Sequence, residues 1–466
     1  MASPSTISQV SSLLKERSTK EKLVVVLSAF YGITNQLLEC GELASNGNSA
    51  FRAVCQQIRD RHIQASIDLI PEDQQSEVQT EVKALLGEFE ELSYGVYLLG
   101  ELSLQTKDRL ISFGERLAVA IVTPHLISQG IKARALDSRK VILTDDSFGC
   151  AQVRMEDSLA AIKAGINAKD QVVVMAGFIG ASQTGQTTTL GRGGSDFTAA
   201  LVAASLKAKA MEKWTDVSGM LTADPRLVPT ARVIEELTYS EAMELCHFGA
   251  KVIYPPTIHP LMENGIPLHV RNTFEPEAKG TSIVLESNKN GQAVRGLSSI
   301  GGIGLITIAG GGMVGMPGFS RRLFTALSYR QVNVILITQA SSEHSITVGV
   351  QSSEADAAQR ILEEEFEPDM TLGRIEPIKI ETGLAIVALV GDKMRKHTGI
   401  SGTTFHTLGR NDVNIRAIAQ GSSERIISIV IEETDVAKSM QALHEAFFES
   451  ELKRVNIFAV GVGNVG

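Results

Sequence analysis

The sequence predicts an α/β protein, a mainly parallel sheet held between helices, followed by a tandem α+β module. Three observations predict this. Continuous apolar runs of strand length recur, helical segments alternate with them, and an eleven-residue block occurs twice towards the carboxyl end.

The elements follow in order. Residues 5 to 17 have the spacing of an amphipathic helix, with Ile7, Val10, Leu13 and Leu14 on one face. Leu23-Val24-Val25-Val26-Leu27 is a β-branched apolar run, the pattern of a parallel strand buried on both faces. Ser28 to Gly32 forms a loop before another helix, and residues 50 to 130 are mostly helical. A second buried strand is predicted at Val172-Val173-Val174-Met175-Ala176-Gly177-Phe178. A loop rich in Gly, Thr and Ser follows it, then an Ala-rich helix from about Ser195 to Met211. Sheets of this kind bind ligands beyond the carboxyl ends of their strands.

The character changes after about residue 285, and the polar stretch Ser287 to Gln292 reads as a turn or linker. Beyond it, the block Asn333 to Glu343 recurs as Asn414 to Glu424. Asn333 matches Asn414, Gln339 matches Gln420, and Glu343 matches Glu424, at one constant offset. Helix-like segments at 320 to 330 and 401 to 410 precede the copies, and strands near 345 to 348 and 427 to 430 follow them. A small βαβ-type unit has been duplicated. The last residues, 451 to 466, read as a strand opening into G-x-G-x-x-G. The helix and acidic residue that give this motif meaning do not follow, so it is expected to bind nothing here.

Hydrophobic residues make up 43% and charged residues 21%, which is globular composition and excludes a disordered chain. The net charge of -9, without a basic block, argues against nucleic acid and anionic membrane as partners. No apolar run is expected to be long enough to span a bilayer, and the start MASPSTISQV lacks the pattern of a secretory signal. Cys40, Cys55, Cys150 and Cys246 are sparse, so a reducing, cytoplasmic setting is expected. The histidines show no ligand spacing, and no protein-held metal site is expected.

Gly191-Arg192-Gly193-Gly194-Ser195-Asp196 opens the Ala-rich helix. Adjacent glycines let backbone N–H groups approach a ligand, a helix start favours anions, and Arg192 adds a planar fork. A tight turn with a Ser cap is the plainer reading. Glu115 has the chemistry to meet a substrate ammonium, against the plainer reading of a solvated helix charge. Ser28 and Thr34 read either as substrate hydrogen-bonders or as caps. Thr215 and Asp216, then Asp224-Pro225-Arg226, suit a nucleotide edge with a phosphate clamp, or simple turn chemistry. Lys251 reads as a phosphate-neutralising cation or a surface lysine.

The order of these motifs resembles the aspartokinases of the amino-acid-kinase fold, over nearly the whole chain. The matching runs are VVVLSAFYGITN, FGERL, TTTLGRGGSDFTAA, WTDVSG, TADPR and FGAKVIYP. LITQASSEHSI and IAQGSSER resemble the paired ACT domains of bifunctional aspartokinase–homoserine dehydrogenases, and FAVGVGNVG resembles the start of their dehydrogenase domain. The resemblance implies a kinase domain over 1–285, ACT domains over 298–450 and a dehydrogenase strand over 451–466. It also implies that Ser28, Thr34, Glu115 and Arg192 hold L-aspartate, with Glu115 on the ammonium and Arg192 on the α-carboxylate. Ser195 and Asp196 would lie near the reacting groups. Thr215, Asp216, Leu221, Arg226, Lys251 and Val252 would surround ATP, with Leu221 standing where many relatives carry Tyr. Asn333, Gln339, Asn414 and Gln420 would form the L-threonine effector positions of a homo-oligomer.

The implied reaction is phosphoryl transfer from MgATP to the aspartate side-chain carboxylate, the first step towards lysine, threonine and methionine. A carboxylate is ionised at neutral pH, so the work is positioning and cationic stabilisation rather than general base catalysis. The family begins with Lys-Phe-Gly-Gly-Thr-Ser, whose lysine meets the transferring phosphate, whereas this sequence opens Met1-Ala2-Ser3. Losing one such charge costs on the order of 100-fold in rate, so weak kinase activity is expected. The competing expectation is a silent, threonine-sensing regulatory subunit. A different amino-acid kinase fits poorly because it explains neither the repeat nor the terminal glycines.

Overall fold

The structure is a computed structural model describing residues 3–167, 169–248, 252–287, 292–315, 317–339, 344–421 and 425–449. The chain divides into two compact units, one of residues 1–219 with 251–287, the other of 220–250 with 288–466.

The first unit opens with α1 (Pro4–Ser18), which Ser3 caps by accepting the Thr6 N–H, with Pro4 at the first helical position. Then come β1 (Leu23–Leu27), α2 (Ile33–Ser45), α3 (Phe51–Leu69), α4 (Glu72–Leu99), α5 (Leu104–Ile111) and α6 (Phe113–Ser128). Next are β2 (Ala133–Leu136), α7 (Met155–Gly165), β3 (Val172–Ala176), β4 (Ile179–Ala181), β5 (Thr187–Thr189), α8 (Gly194–Leu206) and β6 (Met211–Thr215). The Ala-rich helix thus ends before Met211, which instead begins a strand. β1, β3 and β2 form a parallel sheet in the order β1-β3-β2, in register Leu27 to Ala176 and Leu136 to Met175. Ile33, Leu37, Leu86, Phe89, Phe113 and Leu117 pack one core; Ile142, Ile162, Met175 and Leu201 pack another. Leu23 and Val25 lie against the first and Val24 and Val26 against the second.

β1 departs from its expected burial. Only Leu27 is fully buried and the four residues before it are half-buried, whereas β3 is buried throughout. Both faces of β1 are covered, but among the described residues β3 is its one neighbour in the sheet. The membrane reading also needs correction. Leu104–Ser128 is long and apolar enough to cross a bilayer, yet its most apolar part is largely buried inside the fold. It is the core helical pair of this unit.

β7 (Glu236–Thr238) and α9 (Tyr239–His247) belong to the second unit, whereas α10 (Pro255–Glu263), β8 (Leu268–Asn272) and β9 (Thr281–Val284) return to the first. There β6 pairs in parallel with β8, and β8 antiparallel with β9.

The second unit continues through β10 (Gly296–Ala309), α11 (Phe319–Tyr329), β11 (Leu336–Gln339), β12 (Ser345–Gln351), α12 (Ser352–Thr371) and β13 (Lys379–Val390). It closes with α13 (Ile400–Arg410), β14 (Ala417–Gln420), β15 (Ile426–Glu432) and α14 (Val436–His444). These strands form one antiparallel sheet, β11-β12-β10-β13-β15-β14. The duplicated copies are interleaved rather than strung in series. Residues 303–309 of β10 pair with β12 in the first copy, whereas 296–300 pair with the carboxyl half of β13, which itself pairs with β15 in the second. Each copy therefore borrows a strand from the other, across register shifts between Ile300 and Leu305. α11 and α12 cover one half of the sheet through Leu323, Leu362 and Phe366, and α13 and α14 cover the other through Leu408, Met440 and Leu443. Ile303, Leu336, Ile386 and Val430 share a core on the inner face, where the Thr338 hydroxyl donates to the Ile418 carbonyl at 3.1 Å.

Candidate functional site

In the first unit the register of β1 on β3 brings the loops after Leu27 and Ala176 out at the same carboxyl edge. The loop after β1 is pinned by Glu115. This residue sits in the first turn of α6 at 3% exposure, and its Oε1 accepts the Ala29 N–H at 3.2 Å. Its other oxygen, Oε2, is buried and has no hydrogen-bond partner among the described residues. Burial pushes its carboxyl up to about 7. The solvated-charge reading is therefore excluded, and an unfilled buried acceptor of this kind suits an ammonium. Ser28 is exposed and Thr34 half-buried. Neither caps α2, whose N-cap is the left-handed Gly32.

The loop after β3 leads to the glycine-rich loop Gly191 to Asp196, the expected anion loop. Phe178 takes a left-handed φ of 67°, an uncommon conformation for a side-chain residue, and its N–H donates to the Thr198 hydroxyl at 3.2 Å. α8 starts at Gly194, with Gly193 as its N-cap at φ 67°, so Ser195 is not the cap. A Cβ on Gly193 would lie 2.3 Å from the Cβ of Tyr254, and one on Gly177 would lie 2.7 Å from the Cα of Ser195. Only glycine permits these two approaches, which set the start of α8 on the carboxyl end of β3. Arg192 is exposed, and its guanidinium has no partner among the described residues.

Two participants were not legible in the sequence. Asp108 of α5 is fully buried and accepts from the Thr189 hydroxyl at 2.7 Å, the Thr189 N–H at 2.9 Å and the Gly149 N–H at 3.0 Å. It fixes the strand that runs into Gly191. Burial raises its pKa against these hydrogen bonds. Lys213 of β6 places Nζ 2.5 Å from Asp196 Oδ2. Nothing in the spacing of either residue separates it from an ordinary surface charge.

The residues expected around the nucleotide divide between the units. Thr215 ends β6, and its hydroxyl donates to Asp216 at 3.1 Å; Val252 is half-buried before α10. Lys251 lies outside the described residues, as does the glycine turn of 451–466. Leu221 and Arg226 belong to the second unit. Arg226 is exposed and closes its fork on Asp224, at 3.0 Å through Nε and 2.6 Å through Nη2. Their segment is tied to α14, where His444 Nε2 meets the Thr222 hydroxyl at 2.9 Å and Gln441 donates to the Leu227 carbonyl at 2.9 Å. Asn333 and Asn414 are exposed just ahead of β11 and β14, and Gln339 and Gln420 are exposed at the ends of those strands. Gln420 lines a hollow with Met394, Gly399, Ser401 and Ile427. Among the described residues no group of three or more His, Cys, Asp or Glu is placed to hold a metal.

A parallel sheet with a buried carboxylate and a glycine-rich helix start at its carboxyl edge, followed by a duplicated α+β module, is the architecture of the amino-acid-kinase class joined to paired ACT domains. The chain belongs to the amino acid kinase family, which matches residues 1–272, and carries ACT domain matches at 306–366 and 387–447. Within that family its similarity is to aspartokinases. It is 36% identical over its whole length to 57% of a bifunctional aspartokinase/homoserine dehydrogenase of Haemophilus influenzae. It is 32% identical to aspartokinase 1, chloroplastic, of Arabidopsis thaliana, over 92% of this chain and 76% of that protein. The chain spans about half the length of the bifunctional relatives it matches. Its fold is similar to E. coli aspartokinase III in complex with aspartate and ADP, with a TM-score of 0.80, 30% identity, and 96% and 97% of the two chains covered. The lysine- and aspartate-bound form of that enzyme gives a TM-score of 0.74 at 30% identity, over 95% and 96%.

Proposed function

We propose that this chain is a cytoplasmic aspartate kinase that transfers the γ-phosphoryl group of MgATP to the side-chain carboxylate of L-aspartate, giving 4-phospho-L-aspartate and ADP. The observation that carries the proposal is the buried Glu115, with one oxygen on the Ala29 N–H and the other unpartnered. That oxygen receives the substrate ammonium. Arg192, without a partner among the described residues, takes the α-carboxylate, and Ser28 and Thr34 offer hydroxyls from the loop and helix after β1. The side-chain carboxylate is then left as nucleophile towards the start of α8, with Ser195 and Asp196. Thr215, Asp216 and Val252, with Lys251, make up the nucleotide side in the first unit, and the assignment of Leu221 and Arg226 to the nucleotide rests on the resemblance alone. Mg²⁺ arrives on the phosphates, the usual mode where a protein offers few carboxylates. The ACT pair binds an amino-acid effector, L-threonine by resemblance at Asn333, Gln339, Asn414 and Gln420, and assembles the chain into a homo-oligomer.

The test is aspartate-dependent formation of ADP, with the acyl phosphate trapped as its hydroxamate. Calorimetry with threonine and with lysine, each alone and with nucleotide, identifies the effector. Threonine binding by a chain that binds no nucleotide would replace the kinase with an amino-acid sensor.

A further inference from the structure

We propose that Lys213 supplies a cation to the transferring phosphoryl group, its ammonium shared between Asp196 and the γ-phosphate. The inference rests on the kinase reading above and concerns a different lysine from Lys251.

Lys213 lies in the middle of β6, whose alternate residues point to opposite faces. Glu212 and Trp214, on one face, are held in a structural cluster. Arg17 pairs with Glu212 at 2.6 Å, Trp214 donates to Glu212 at 2.9 Å, and Arg271 lies 6.0 Å from the Trp214 ring centroid. On the other face Lys213 pairs with Asp196, in the first turn of α8. The two side chains are each 21% exposed, so they are half-shielded yet reachable. An ammonium has three donors. One is spent on Asp196 Oδ2, and the others have no partner among the described residues. Asp196 itself is anchored at the functional edge, because the neighbouring Ser195 packs on Gly177 at the end of β3. The free donors therefore lie beside the anion loop.

The chemistry needs such a charge. A carboxylate oxygen of aspartate forms the new bond to Pγ, the bond from Pγ to the bridging oxygen breaks, and its electron pair leaves on ADP. No proton moves, and Lys213 stays charged throughout. Its work is to offset the approach of two anions, and the loss of one preorganised donor to a developing charge costs about 100-fold or more in rate.

Lys213→Gln keeps a hydrogen bond to Asp196 without the charge, and Lys213→Arg keeps the charge. In the full chain we expect K213Q to lower kcat at least about 100-fold. The KM for aspartate and the melting temperature should stay near wild type, and K213R should recover a large part of kcat. A K213Q chain with wild-type kcat, or one whose activity falls only in step with its melting temperature, overturns the assignment of Lys213 alone. A wild-type chain that neither binds MgATP nor forms ADP sinks the kinase reading, and this inference with it.

Discussion

Asp108 holds Thr189 at two points, its Oδ1 taking the hydroxyl at 2.7 Å and its Oδ2 the backbone N–H at 2.9 Å. Thr189 closes β5 two residues before Gly191, so this buried carboxylate sets the path of the chain into the anion loop. Asp108→Ala leaves the buried N–H and hydroxyl of Thr189 and the part-buried N–H of Gly149 without an acceptor and should cost about 3 kcal/mol. Thr189→Val removes only the hydroxyl and should cost about 1 kcal/mol. Urea unfolding and amide exchange at Gly149 and Thr189 measure both. The D108A variant should also raise the KM for aspartate, because the loop loses its support. Unchanged exchange at both amides would contradict this role.

The second prediction concerns pH. Glu115 has its pKa raised to about 7 in the folded protein, from 4.5. The folded state therefore holds this proton more tightly, and between about pH 5 and 7 the residue is largely neutral. An ammonium needs the carboxylate, so aspartate binding must expel the proton. Affinity should fall as pH drops below about 7, and calorimetry at pH 6 in buffers of different ionisation enthalpy should detect about one proton released. Glu115→Gln should bind weakly with no slope in that window. A wild-type affinity flat from pH 5 to 7.5 would remove Glu115 from the ammonium site.

His62 gives the opposite sign. It is fully buried, stacks on Phe30 with ring centroids 5.2 Å apart, and has its pKa lowered to about 4 by burial. The unfolded chain takes the proton more readily. The stability from this residue is complete above about pH 6.5 and is lost as pH falls, by roughly 3 kcal/mol at pH 4. His62→Leu should flatten the acid side of the melting curve of the first unit. Parallel curves for variant and wild type between pH 4.5 and 7.5 would disprove the assignment.

The effector prediction uses the hollow beside Gln420. Gln420→Ala should raise the threonine concentration for half-inhibition by about 10-fold, the loss of one or two neutral hydrogen bonds. Gln339→Ala should do the same at the equivalent strand end, with the KM for aspartate unchanged. Identical inhibition curves for both variants would place the effector elsewhere.

Much was legible before any contact was known. Local pattern carries local structure, so the runs at 23–27 and 172–176 became strands and 319–329 and 400–410 became helices. The glycines of the anion loop announced a helix start because their conformational freedom is a property of the residue itself. The repeat announced two copies of one module, and the resemblance of its blocks pointed to the ACT pair that the family match shows.

Other features waited for the tertiary structure. Glu115, Asp108 and Lys213 are all charged residues on regular elements, and in sequence each looks like a solvated face. What distinguishes them is burial and a partner distant in the chain: Ala29 for Glu115, Thr189 for Asp108, Asp196 for Lys213. The same applies to β1, whose apolar run specifies a strand but not how many neighbours it has. It applies to β10 and β13 as well, where periodicity defines each strand and only pairing shows that the two copies exchange them. A residue's type governs its local conformation and is written in the sequence. Its neighbours, and hence its dielectric surroundings and chemistry, are decided when distant segments pack.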